Sequence, residues 1–544
     1  MPDHSQRPYD WVGAWSERRA RLSPDAVGLV DATTGASLTY RELDERANRA
    51  ARLLREHGVG GPASSEPSDP ERATGDRVAV VSRNRPALVD LFFATAKTGG
   101  VLAPLSHRLA SAELIEMLNE VDPELLVVEE PFDDLVRDVL ARDERAFDAD
   151  VLSLATDGDH DWTAYDDALP EADSPVESAD VSMDDPHLFL HTGGSTGTPK
   201  ETVLTHGSIL WNSFNTITAW GLRPEDVTPM TFPMFHTGGW NVLTVPLFHL
   251  GATVVVSREA DPGRILRTID EEDATVLVAV PAVLRMMANH EDWSSTDLSS
   301  LRFAKSGGGP ARESVMEAWW SRGVDLSQGY GLTECGPNNF TMPDGWPREK
   351  ADSVGVPAMH VDARVVDGDG ERVEQGEVGE LELRGPHAAA GYWRAPEETA
   401  EAFGVPAVDD PTTGETSDYW VSTGDLCRVD ADGYHYIEGR KKNMFVSGGE
   451  NVYPPEVEDA LADHPGVSEV VVIGVPDDTW GTVGKAIVQG DESLTVEDFD
   501  AFLDDRLARF KHPHHVAFVD DMPTSGPSKI DREALRERFG GGTE

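Results

Sequence analysis

The chain has 544 residues, 39% of them hydrophobic and 13 of them tryptophan, too many for one core and apolar enough for two or more folded domains. A net charge of −52 argues against nucleic acid as a partner, and the apolar content argues against an acidic disordered chain. The most apolar stretch, Leu88 to Leu105, is interrupted by Asp90 and Lys97, so no membrane span is expected. Residues 1–10 show no basic start followed by an apolar run, so no signal peptide is expected and the cytoplasm is the expected compartment. Two cysteines, Cys335 and Cys427, build no disulfide framework. The acids are spread along the chain, the pattern of a halophilic protein whose surface self-repulsion is screened by salt.

In chain order, residues 60–75 read as a loop insertion, and the Gly75-Asp76 turn leads into a strand over Arg77–Ser82. A helix follows from Pro86 to Lys97, then a second from Ser111 to Asn119 with Ser111 as its cap and Glu113 in its first turn. Leu125–Glu129 is a strand again. Alternation of this kind predicts an α/β fold with a largely parallel sheet and helices on its faces. Residues 142–185 are acid-rich with few apolar anchors and read as a surface excursion. A second irregular insertion covers 409–418. Beyond Arg440 a small pattern of its own begins, with helices Pro454–Asp463 and Val496–Ala508 and strands Val467–Ile473 and Lys485–Val488. The expected domains are therefore 1–439, large, with parallel and mixed sheets, and 440–544, small and α+β.

The buried run Leu188-Phe189-Leu190 ends in His191-Thr192-Gly193-Gly194-Ser195-Thr196-Gly197-Thr198-Pro199-Lys200. Glycines admit an anion close to backbone N–H groups, hydroxyls add donors, and one lysine adds a point charge: this is the chemistry of a phosphate-wrapping loop. Pro199 before the lysine excludes a Walker A loop. Lysine is rare, nine in the chain, yet Lys200, Lys441, Lys442 and Lys529 all lie in short motif-like segments, as if retained where a cation is used.

Gln328-Gly329-Tyr330-Gly331-Leu332-Thr333-Glu334, Ser422-Thr423-Gly424-Asp425, the segment Gly439 to Asn451 and Lys529 follow in order. Each alone is weak. Together with the loop they resemble the adenylate-forming superfamily, in its acyl-CoA synthetase branch, from about Trp15 to Phe539. The resemblance implies ATP and coenzyme A as substrates and Mg²⁺ as the ion. It implies that Thr192, Gly193, Gly194, Ser195, Thr196, Gly197 and Lys200 hold the β- and γ-phosphates, and that Thr196 and Glu334 attend the metal, as hard oxygen ligands would. Gly307 and Gly308 would line adenine, Tyr330 would stack on it, and Gln328, Gly329 and Thr333 would surround the adenylate. Asp425 and Arg440 would hold the ribose and Lys442 would be the hinge. Lys529 would bridge carboxylate and α-phosphate, and Gly448 and Gly449 would enter for the CoA step as the small domain rotates. The sequence departs from the family at Glu201 and Ser528, where glycine is usual, and at Val446 and Gly448, where some members carry lysines.

Phe232-Pro233-Met234-Phe235-His236-Thr237-Gly238-Gly239-Trp240 matches the segment that gates the acyl pocket, with His236 by the substrate carboxyl. It lacks the aspartate of amino-acid-activating members. Met230, Trp240, Val242 and Leu243 suggest an apolar pocket, and a medium- or long-chain fatty acid is the expected substrate. Aryl acids, o-succinylbenzoate, and transfer to a carrier protein instead of CoA stay open, as does a monomer or homodimer. Cys335 beside Glu334 is not expected to be a nucleophile.

Overall fold

The computed structural model describes residues 12–60, 75–155, 162–192, 200–404, 419–447, 450–477, 480–504, 506–524 and 530–540. The chain divides into two compact units. The first comprises residues up to Ala351, Val356–Ala363 and Leu383–Ser422; the second comprises Asp352–Gly355, Arg364–Glu382 and Thr423 onward. The expected border at 439/440 falls inside the second unit, at the end of the strand His435–Arg440.

The first unit is α/β. Its largest sheet runs, in spatial order, Gly391–Tyr392, Lys200–Thr205, Pro186–Thr192, Val101–Leu105, Arg77–Val81, Leu125–Val128, Asp150–Ser153 and Thr163–Ala164. The strands from Pro186–Thr192 to Thr163–Ala164 are mutually parallel, and Lys200–Thr205 runs antiparallel to both of its neighbours. The central strands are buried on both faces, which is why they read as continuous Val/Leu/Ala runs rather than alternating ones. A four-stranded sheet (Val227–Pro229, Thr253–Val256, Val27–Asp31, Ser37–Thr39) and a parallel three-stranded sheet (Val276–Ala279, Phe303–Ser306, Leu326–Gln328) complete the unit's larger sheets among the described residues.

Two expectations are corrected. Residues 142–185 are no mere excursion: they supply the last two strands on one side of the large sheet, Asp150–Ser153 and the edge strand Thr163–Ala164, and bury Phe147, Leu152, Tyr165 and Val181. Their few apolar residues suffice because both strands are short and only Leu152 and Ser153 of them are buried. Ser111 is the first helical residue, not the cap of helix Ser111–Val121; the Glu113 carboxylate accepts the Ala110 N–H at 2.8 Å, and Ser111 Oγ accepts from Arg142 at 2.7 Å.

The charges that interrupt the apolar helix Pro86–Thr98 are both buried and both paired to helix Tyr40–Glu56, with opposite polarity. Asp90 takes a fork from Arg46, and Lys97 lies 2.8 Å from Asp44, which also accepts from Ser16. The pairs key one helix against the other in a single register.

In the second unit, an antiparallel sheet orders Asp362–Val366, Val378–Arg384, Val421–Val429 and His435–Arg440, most of whose residues belong to this unit. A three-stranded sheet joins Val467–Asp477, Gly481–Gly490 and Pro513–Phe518. Alternate residues point to opposite faces: Val470 and Val472 pack with Val457, Leu461, Phe499 and Leu503 of two helices, while Val471, Ile473 and Val475 pack with Leu535 of helix Arg532–Phe539. The helix expected to reach Ala508 stops at Leu503, and a 3₁₀ turn over Arg509–Lys511 delivers Pro513 to the third strand. No described helix is long and apolar enough to cross a membrane.

Lys97→Ala leaves Asp44 buried without its cation. It is expected to lower the unfolding free energy by about 3–5 kcal/mol, read as a urea midpoint shift at unchanged slope, with part of the loss recovered when Asp44→Leu is added.

Candidate active site

The loop that drew attention in the sequence is closed by a β-hairpin. Strand Pro186–Thr192 pairs antiparallel with Lys200–Thr205 so that Thr192 faces Lys200 and His191 faces Glu201. Gly193, Gly194, Ser195, Thr196 and Gly197 lie outside the described residues, but their two ends are held opposite one another in register. On its other edge the Lys200 strand pairs with Gly391–Tyr392, with Tyr392 opposite Thr202. Lys200 Nζ lies 5.5 Å from the centroid of the Tyr392 ring and 3.4 Å from Oε1 of Glu398. The Tyr392 hydroxyl donates to Oε1 of Glu334 at 2.8 Å, and the Glu334 carbonyl accepts the Ala389 N–H at 2.8 Å. Lys200 and Glu334, 134 residues apart in sequence, thus meet one phenol. Tyr392 and Glu398 were not singled out in the sequence, where nothing local to them signals a site.

The other candidates of this unit stand at the C-terminal ends of the parallel three-stranded sheet, where α/β folds place ligands. Ser306 ends one strand and leads into Gly307 and Gly308; Gln328 ends the next and leads into Gly329 and Tyr330. The two ends are tied, since the Gly329 N–H donates to the Ser306 carbonyl at 2.8 Å. Gln328 is buried and its amide is spent on the backbone of Ala311, accepting at 2.9 Å and donating at 2.8 Å. It therefore shapes the Gly307–Pro310 segment from beneath. The Tyr330 ring lies edge-on to Phe340 at 5.7 Å, and Thr333 and Glu334 sit in the 3₁₀ turn Thr333–Cys335. This turn demands glycine twice: a Cβ at Gly331 would drive into the Pro337 backbone, and Gly336 has a φ of 66° with Asn212 against it. Cys335 is fully buried, and burial pushes its thiol well above the usual range, which disfavours the thiolate.

The expected gate segment forms a ring cluster. Phe235 stacks on His191 at 6.0 Å, meets His107 edge-on at 5.3 Å and lies 4.8 Å from His236. Burial holds the His191 imidazole down at about 4, so it is neutral at physiological pH. His236 is half-buried. Trp240 is different from expectation: it is fully buried, stacks on Phe92 at 4.9 Å and donates to the Met234 carbonyl. It is a core residue that sets the backbone of the segment.

In the second unit, Asp425 and Arg440 face each other across the hairpin of Val421–Val429 and His435–Arg440. Arg440 Nε lies 2.9 Å from Oδ1 of Asp425, and the same guanidinium donates to the Thr423 carbonyl at 3.0 Å. Lys442 is exposed in the turn after the second strand. Gly448, Gly449 and Lys529 lie outside the described residues.

The comparisons with known proteins bear on these residues as a set. Residues 16–393 match the model of the AMP-binding enzyme family, and residues 456–529 match the AMP-binding enzyme C-terminal domain. The chain belongs to the AMP-binding enzyme family. Within it the chain is an AMP-forming acid–CoA ligase. It is similar to a feruloyl-CoA synthase of Amycolatopsis, 37% identical over 97% of this chain and 99% of the relative. It is also similar to the long-chain-fatty-acid–CoA ligase FadD13 of Mycobacterium tuberculosis, 31% identical over 97% and 98%. Among solved structures it resembles ATP-bound MatB from Rhodopseudomonas palustris, with a TM-score of 0.82, 29% identity, and coverage of 96% and 99%.

Against the family pattern, Glu201 stands out. It is fully buried in the middle strand of three, and neither carboxyl oxygen has a hydrogen-bond partner among the described residues. Burial, and then the neighbouring Glu120 carboxylate, push its pKa well above the usual range. Glu120 itself accepts the Glu201 N–H and is pushed up to about 7, chiefly by desolvation, which that N–H, Arg394 and Lys200 only partly offset. Both folded-state values exceed those of the unfolded chain. Their stabilisation is therefore complete below the unfolded values near 4.5 and is lost with rising pH, for Glu120 through about 7 and for Glu201 in the same direction. Wild type is expected to lose thermal stability between about pH 5 and pH 8 in molar KCl. Glu201→Gln, which cannot ionise, should lose measurably less; parallel melting curves across that range would show that Glu201 carries no such burden.

Proposed function

We propose that this ligase activates a carboxylic acid with an apolar body, first as the acyl adenylate and then as the CoA thioester. The observation that carries the reading is the convergence of Lys200, at the exit of the glycine-rich loop, and Glu334 on Tyr392. A cation and a carboxylate are held there without neutralising each other directly. In the first step a substrate carboxylate oxygen attacks the α-phosphorus of ATP and the bond to pyrophosphate breaks. Three anionic groups meet in that step, so the site's contribution is preorganised charge. Lys200 and the N–H groups and hydroxyls of residues 192–197 would hold the departing pyrophosphate, and Lys529 would sit between carboxylate and α-phosphate. Asp425, with both ribose hydroxyls as donors, and Arg440 would fix the sugar; Gly307, Gly308 and Tyr330 would take the base. In the second step the CoA thiolate attacks the acyl carbon and AMP leaves.

Glu334 suits a magnesium ion. It is a half-exposed carboxylate with one oxygen engaged by a neutral phenol, leaving lone pairs for a hard cation that keeps waters and substrate phosphates as its other ligands. Such an ion, when bound, supplies charge neutralisation of the polyphosphate. Thr196 would be its second protein ligand.

For the acid, the fatty-acid reading from sequence shares the field with an aryl one. One relative is named for a feruloyl group and another for long-chain fatty acids. The cluster of His107, His191, Phe235 and His236, together with the withdrawal of Trp240 into the core, favours an aromatic acid lying against rings. The segment from residue 440 would turn about Lys442 between the steps, bringing Gly448 and Gly449 in and taking Lys529 away. The acidic composition, with a net charge of −52, supports work in concentrated salt.

Pyrophosphate exchange in molar KCl, run with a panel of arylpropenoic, arylacetic and C6–C18 fatty acids, tests the first step, and thioester formation with CoA tests the second. The expected result is exchange and thioester with aryl acids above fatty acids. Exchange without thioester would indicate carrier-protein loading, and no exchange with any acid would overturn the function. Lys529→Ala is expected to lower adenylation at least about 100-fold, the scale of one lost transition-state charge contact, while leaving thioester formation from preformed acyl adenylate within a few-fold. Equal losses in both steps would remove its assigned role.

A further inference from the structure

The phosphate-loop lysine and the Glu334 carboxylate have opposite charge and could pair directly, which would waste both. The structure places a tyrosine between them. Lys200 Nζ stands 5.5 Å over the Tyr392 ring, and the Tyr392 hydroxyl donates to Oε1 of Glu334 at 2.8 Å. Every part of this bridge is held from behind. The tyrosine backbone pairs with Thr202, two residues from Lys200, so ring and lysine belong to adjacent strands. Its N–H donates to Thr399 Oγ1 at 2.9 Å, and its ring meets Phe403 edge-on at 5.6 Å. Glu334 is anchored to the same segment through the Ala389 N–H. The Lys200 ammonium also lies 3.4 Å from Glu398, a carboxylate on the helix that begins at Pro396.

We propose that Tyr392 is a positioning residue that keeps Lys200 and Glu334 apart and preoriented, a role that rests on the adenylation reading above. Each contact it offers is weaker than the one the charged group would exchange it for. A cation over a ring face is held less firmly than a cation on a phosphate, and a carboxylate with one phenolic donor retains lone pairs for a hard cation. Tyr392 therefore prevents a Lys200–Glu334 ion pair without competing with the nucleotide. Its two halves are separable: the hydroxyl acts on Glu334, and hence on the metal dependence, while the ring acts on Lys200, and hence on the metal-free affinity for polyphosphate.

The test compares wild type, Tyr392→Phe and Tyr392→Leu by titration calorimetry with ATP across a range of Mg²⁺ concentrations and in its absence. Pyrophosphate exchange and melting temperature are followed in parallel. Tyr392→Phe is expected to raise the Mg²⁺ concentration for half-maximal ATP affinity about tenfold, the scale of a hydrogen bond lost from a charged group, with metal-free ATP affinity within twofold of wild type. Tyr392→Leu should show the same metal defect and also weaken metal-free ATP binding about threefold, the scale of a partly exposed ion pair, because Lys200 without the ring would pair with a carboxylate that it must leave to meet phosphate. In both variants KM for the acid should stay unchanged. A Tyr392→Phe metal titration that superimposes on wild type would overturn the role, as would equal metal-free affinities in Phe and Leu variants. Glu398→Gln guards against a purely structural effect: it should leave the metal dependence unchanged, and a shift equal to that of Tyr392→Phe would also overturn the proposal. Wild type that binds no ATP would sink the adenylation reading itself, a result distinct from any of these.

Discussion

The strand Lys200–Thr205 is the constraint on which the candidate site depends. It is the one strand of the large sheet that runs against both neighbours, and it is hydrogen-bonded on each edge. The pairing with Pro186–Thr192 brings the two ends of the phosphate loop together, and the pairing with Gly391–Tyr392 brings in the phenol that reaches Glu334. A slip of one residue would send Lys200 to the other face and put Glu201 in its place. The burial of Glu201 counters that slip only once the strand is seated, because a carboxyl without a partner is tolerated there in its neutral form.

Charge organises the rest. In a chain of net charge −52, several of the cations answer to buried carboxylates. Lys97 and Arg46 key two helices through Asp44 and Asp90, and Arg302 forks onto buried Asp226. Arg440 spans a hairpin to Asp425. Each such pair specifies one arrangement, since removing a partner strands a buried charge. Lys200 differs in being held by contacts it can surrender, a ring face and the Glu398 carboxylate, which suits a group whose proposed partner arrives with the substrate.

The adenine-side candidates follow a different logic. Gly307, Gly308, Gly329 and Tyr330 stand where parallel strands end, and the geometry there is backbone-driven: Gly331 and Gly336 permit the turn, and Gln328 props the Gly307–Pro310 segment through Ala311. Gln328 is thus a support for the segment rather than a surface of it. The gate segment divides similarly, with Trp240 and Met234 as foundation and Phe235 and His236 as the cluster above.

The sequence alone determined the α/β alternation, the glycine- and hydroxyl-rich composition of residues 192–200, the order of the motifs and the family they point to, because each is written in local residue types and spacing. It also marked Glu201 as out of place. It could not show that Lys200 and Glu334 share Tyr392, since the three are joined through strand pairing and a turn across nearly two hundred residues, and pairing partners leave no local signature. It misjudged residues 142–185 because two short strands with only two buried residues between them leave little apolar signal, and it counted Trp240 as pocket because an apolar ring reads the same in a core. Only the tertiary structure decided which face each of these side chains takes, and hence which charges meet and which are kept apart.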